Sequence, residues 1–190
     1  MATQSQAANG WSSVTRSGDS GVAWSGGGTA LGVADGTYIE APAYTNGGAT
    51  NTPAKCPILR VTFPAFSFPV TDVIASATLT VRAQRNSDIP VGVTVQEEGS
   101  ATTLTGSWQT LAVTLSPSSL TISSLNAGTT TVDVLIQALG SAYSSLLVPP
   151  IANPVGQVDY VALSVTTATP GGDSVFSIGS LTRIPSVGVN

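Results

Sequence analysis

The amino-acid sequence predicts an all-β protein: a two-sheet antiparallel β-sandwich of jelly-roll type with an irregular N-terminal arm. Three observations carry this expectation. Apolar residues recur with period two, clusters of turn-forming residues separate the runs, and no segment keeps the 3.6-residue period of an amphipathic helix. The 190 residues suffice for one core, burying roughly 70% of the surface that the unfolded chain exposes.

Residues 1–28 are rich in Ser, Gly, Thr and Ala, and Trp11 and Trp24 stand out among them. Gly26-Gly27-Gly28 breaks any regular element, so 1–28 reads as an extended arm and 29–190 as the sandwich. Val73–Arg85 is the clearest strand. Ala75, Ala77, Leu79, Val81 and Ala83 share one face, while Ser76, Thr78, Thr80, Arg82 and Gln84 share the other. The same alternation marks Val91–Gln96, Thr110–Leu115, Thr131–Ala138 and Val161–Thr167. Shorter strands are expected at Thr37–Ala41, Ile58–Phe63, Leu120–Ile122 and Ser174–Ile178. Turns are expected at Asp35-Gly36, Asn46-Gly47-Gly48, Asn86-Ser87-Asp88, Glu98-Gly99-Ser100, Asn126-Ala127-Gly128 and Pro170–Asp173. Phe63, Phe66 and Phe68, spaced by small residues and prolines, suit a segment that plugs the sandwich.

Composition removes much of enzymology. The chain has 8% charged residues, no histidine and one cysteine, so it can build no Ser-His or Cys-His pair and no imidazole acid or base. A net charge of -4 opposes binding to nucleic acid, which needs clustered Lys and Arg. No apolar run is long enough to span a membrane, and the first ten residues carry no signal-peptide pattern. Cys56 reads as a buried, inert thiol of a protein made in a reducing cytoplasm.

The ten acidic residues form no evident catalytic pair. Glu97 and Glu98 are neighbours on a strand and point to opposite faces, whereas Asp133 and Asp159 lie on different strands that could meet. Calcium is the metal best suited to the chain, and Asp35, Asp173 and loop carbonyls are the ligands it would use, but no DxDxDG loop is present and Asp-Gly and Gly-Asp are ordinary turn chemistry. No cofactor is expected. The dispersed arginines suit salt bridges better than phosphate binding. Tyr38, Tyr44, Tyr143 and Tyr160 are expected to be buried with their hydroxyls at the rim. Trp108, which opens the strand ending at Leu115, either covers one end of the core or offers a platform for a sugar ring.

Three segments carry a family resemblance: Asp35-Gly-Thr-Tyr-Ile-Glu40, Val73–Gln84, and the pair Trp108–Val113 with Val158–Val165. Together they resemble the galactose-binding-like jelly rolls of bacteriophage structural proteins and, more distantly, carbohydrate-binding modules. The resemblance implies a non-enzymatic virion subunit, either a capsid decoration (cement) protein or a tail-associated protein. It would be made in the host cytoplasm, would contact other virion proteins and would form a homo-oligomer. An outward surface of Ser, Thr, Gln and Gly loses little side-chain entropy on contact and agrees with such assembly. Trp11 and Trp24 are then the expected intersubunit contacts. The alternative is a glycan-recognising jelly-roll module that uses Trp108.

Overall fold

The computed structural model describes residues 1–16, 23–27, 31–41, 56–86, 91–95, 98–138 and 156–170. Eleven strands are present among the described residues: β1 (Ala2–Ala7), β2 (Gly10–Val14), β3 (Ser25–Gly26), β4 (Ile39–Glu40), β5 (Ile58–Thr62), β6 (Val73–Arg85), β7 (Val91–Val95), β8 (Glu98–Thr103), β9 (Gln109–Leu115), β10 (Thr131–Ala138) and β11 (Gly156–Ala168). They form two sheets, both antiparallel. Sheet A runs β3-β4-β11-β6-β9, with β1 also pairing β11; sheet B runs β2-β5-β10-β7-β8. The fold is the expected two-sheet sandwich of jelly-roll type.

The core lies between the sheets and follows the predicted alternation. Leu79, Val81 and Ala83 of β6 meet Val161, Leu163 and Val165 of β11, and across the sandwich Leu59, Val61, Val132, Val134 and Ile136 close over them. The register of β6 against β11 shifts twice, between Val158 and Tyr160 and between Thr166 and Thr167. The second shift skips Ala75, which is exposed instead of lying on the core face. Buried Thr167 then donates its hydroxyl to Asp72 Oδ2 at 2.8 Å.

The N-terminal region differs from the irregular arm expected for it. Residues 2–7 and 10–14 are paired strands: β1 runs against β11, and β2 against β5. Its polarity is inverted relative to an ordinary strand, which hides it from a search for alternation. Gln4 and Gln6 pair with Val165 and Leu163, both core residues, and so share their side of the sheet. What they satisfy there is the backbone of 63–69, which Pro64 and Pro69 keep out of any ladder. Gln4 accepts from Ser67 N at 3.0 Å and donates to Ser67 O at 2.6 Å. Asn126 does the same for Phe68, accepting at 2.9 Å and donating at 2.7 Å. Held in this way, Phe63, Phe66 and Phe68 are all buried, and the last two stack with centroids 5.6 Å apart.

A short helix, α1 (Ile122–Ala127), occupies the place where a strand at Leu120–Ile122 and a turn at Asn126–Gly128 were expected. Thr121 caps it by accepting from Ser124 N at 3.1 Å, and Gly128 ends it in the left-handed region at φ 64°. Six residues are too few to display a helical period. The predicted turn at Glu98-Gly99-Ser100 is instead the start of β8, with Glu98 opposite Val95. The expected strand at Ser174–Ile178 lies outside the described residues, as do the expected turns at Asn46–Gly48 and Asp173.

Three substitutions test this account by urea denaturation. Phe63→Ala should cost about 3–5 kcal/mol through the cavity it leaves. Gly128→Ala should cost about 1–2 kcal/mol for the left-handed conformation, because the added Cβ would also sit 3.0 Å from Ala65 N. Gly106→Ala, which meets nothing within 4 Å, should be close to neutral.

Candidate functional site

The side chains with chemistry to offer collect on the outer face of sheet A, at the end where β4, β11, β6 and β9 lie side by side. Arg82 alternates with buried Val81 and Ala83 and therefore projects outward. Asp159 reaches the same face through the first register shift. Val158 and Val161 both point into the core although three positions apart, so one residue between them must be extra. That residue is Asp159, and its Oδ2 accepts from Arg82 Nη1 at 2.5 Å and from Gly36 N at 3.3 Å.

Two aromatic rings cover the pair. Trp108 precedes β9 and Tyr38 precedes β4, strands about 14 Å apart at three strand spacings. The rings nevertheless come within 6.1 Å, centroid to centroid, at 48°. Arg82 Cζ stands 5.1 Å from the Trp108 centroid, so the guanidinium packs on the indole while it binds the carboxylate. Asp159 is 0% exposed and the Arg82 side chain keeps 26% of its surface, whereas Trp108 stays half-exposed and Tyr38 is 39% exposed. Beside them runs a polar relay from strand to strand: Gln84 Nε2 donates to Gln157 Oε1 at 2.6 Å, and Gln157 Nε2 donates to Glu40 Oε1 at 2.8 Å.

Asp159 Oδ1 is buried with no hydrogen-bond partner among the described residues. Burial pushes its carboxyl above the ordinary carboxylate range, against the opposing pull of Arg82 and the Gly36 N–H. Asp35, whose negative charge adds to the upward push, is itself held low by the Thr37 N–H, which it accepts at 2.8 Å.

The structure sorts the candidates. Trp108 joins the site, together with Tyr38, which is exposed where burial was expected; Tyr44 and Tyr143 lie outside the described residues. Trp24 is core within this one chain, 4% exposed, with its indole N–H on Pro57 O at 2.7 Å. Trp11 packs half-buried against the same core and donates to Gly27 O at 3.2 Å. Asp133 and Asp159 do not meet. They belong to different sheets, and each is bonded to its own arginine. Among the described residues no three acidic or thiol side chains gather as for a metal, and Asp173 falls outside them. The grouping of Tyr38, Arg82 and Asp159 around Trp108 escaped the sequence reading because their contacts span 70 and 77 positions. One signal was present: the apolar spacing of β11 changes from two to three at Val158–Val161.

No protein-family model and no curated protein matches the chain. Among solved structures, it is similar to a CBM35 from Paenibacillus barcinonensis at 13% identity and a TM-score of 0.35, over 90% of this chain and 100% of that one. It is also similar to the Podospora anserina GH26-CBM35 β-(1,4)-mannanase at 12% identity and a TM-score of 0.32, over 90% of this chain but 29% of the longer enzyme. Neither is a virion protein. Both likenesses are loose, and the chemistry of the site rests on its own geometry.

Two measurements test the electrostatics. Arg82→Met strands a buried carboxylate and should cost about 3–5 kcal/mol, whereas Arg60→Met, at the more exposed bidentate pair with Asp133, should cost about 0–1 kcal/mol. The second concerns pH. With its pKa raised on folding, Asp159 contributes most below the unfolded value of 3.8, and that contribution is lost as pH rises through the folded value. Asp159→Asn cannot titrate, so its stability relative to wild type should climb over that interval when urea midpoints are followed against pH.

Proposed function

We propose that the chain is a non-catalytic carbohydrate-binding module whose site is the Trp108–Tyr38–Arg82–Asp159 cluster. One observation carries the reading: two partly exposed aromatic rings meet beside an arginine–aspartate pair with a buried carboxylate, on the outer face of a sheet. A pyranose has an apolar C–H face and a rim of hydroxyls. The rings match the first and a guanidinium–carboxylate pair flanked by side-chain amides matches the second. The two arginine-bonded aspartates provide no acid pair for glycoside hydrolysis, since Asp133 and Asp159 lie in separate sheets. The two similar structures bear the name of the same class, at a likeness too distant to add weight.

The reading as a bacteriophage virion subunit, homo-oligomeric and packed against capsid or tail proteins, retains its compositional argument. The comparisons give it no support, and no feature of the site favours it.

The test is binding to a glycan array and to insoluble polysaccharides. Trp108→Ala should weaken retention at least tenfold, and Trp108→Phe should keep part of it, with circular dichroism and melting curves reporting the fold of both. A wild-type chain that holds no glycan, or a folded Trp108→Ala that binds as wild type does, would overturn the proposal.

A further inference from the structure

We infer that the ligand is an uncharged, extended sugar chain that begins on the Trp108–Tyr38 pair and continues along the strands over the outer face of sheet A. This rests on the carbohydrate-binding reading and adds to it the charge and the length of the ligand.

The path comes from the registers. Thr110 lies opposite Arg82. The next outward row is Ala112–Thr80–Ala162, and the one beyond is Thr114–Thr78–Ser164. Such rows are about 7 Å apart along the strands. In both, the largest side chain is threonine, so among the described residues the face beyond the aromatic pair is shallow, offers hydroxyls and carries no charge. A rigid chain anchored on the rings can lie along it without displacing a long side chain, and the ordered threonines lose little entropy on contact.

The choice of an uncharged chain comes from the carboxylates. Asp159 lies within the cluster, Asp35 is close enough to act on it, and Glu40 ends the amide relay, against Arg82 as the cation bonded there. Arg82 is already committed to Asp159 and leaves little positive field for an anionic sugar.

The experiment is isothermal titration calorimetry with neutral gluco-, manno- and xylo-oligosaccharides of two and six units and with a six-unit oligogalacturonate. The preferred neutral six-unit chain should bind at least tenfold tighter than its two-unit form and at least tenfold tighter than the oligogalacturonate. Ala112→Arg, an exposed edge-strand change, should reduce the six-unit affinity to that of the two-unit sugar and leave the latter unmoved. Thr114→Arg repeats the test if the first variant fails to fold. Equal affinities for the two lengths, a six-unit affinity untouched by both folded arginine variants, or preference for the oligogalacturonate would overturn this inference while the carbohydrate reading stands. Binding to none of these sugars would overturn this inference, and the glycan array then decides the wider one.

Discussion

The pairing of β6 with β11 is the constraint on which the rest of the molecule depends. These are the two thirteen-residue strands, and they run side by side through the middle of sheet A. Every other described strand of that sheet attaches to one of them or to a strand that does. Their inward side chains supply the floor of the core, and their outward ones supply Arg82, Gln84, Gln157 and Asp159. Two such runs stay amphipathic only if their alternation stays in phase, and the two register shifts restore the phase where the sequence breaks it. The site is therefore a by-product of how the core is kept continuous. A residue displaced from the ladder between Val158 and Val161 became the buried acid.

This origin explains what was legible in the sequence. Strands that alternate against a core, such as β6, β9, β10 and β11, declare themselves, because one face must be apolar whatever else the chain does. β1 does not declare itself. Its inward positions carry Gln4 and Gln6, whose partners are backbone groups near Ser67 and Ala65, some sixty residues away in sequence. α1 is hidden for a different reason: a helix of six residues is defined by its caps at Thr121 and Gly128 and not by a period. Of the site, Trp108 could be singled out from its place at the head of a strand. Its companions could not, because only the strand order β4-β11-β6-β9 brings Tyr38 and Arg82 to it.

The scarcity of charge acquires a structural meaning. Arg60 and Asp133 lie directly opposite each other on β5 and β10, joined by two hydrogen bonds of 2.8 Å. That pair fixes register on a partly solvated face, where each ion keeps much of its hydration and the net contribution is small. Arg82 and Asp159 form a different kind of pair. One carboxylate oxygen accepts two hydrogen bonds, the other has no partner among the described residues, and the carboxylate is fully buried beside a guanidinium that packs on Trp108.

A pair of the second kind is hard to justify by stability. Replacing a buried ion pair with apolar residues of similar volume is often neutral or stabilising by about 1–4 kcal/mol, and here the orphan oxygen adds a further desolvation cost. The arrangement does accomplish something apolar residues cannot. It holds a guanidinium 5.1 Å from the centre of an indole and keeps a buried carboxylate oxygen without a partner among the described residues. In a chain that spares charge nearly everywhere, a carboxylate buried at this point with one oxygen unpartnered among the described residues is a physical reason, beside the exposed rings, to regard the face as a binding surface.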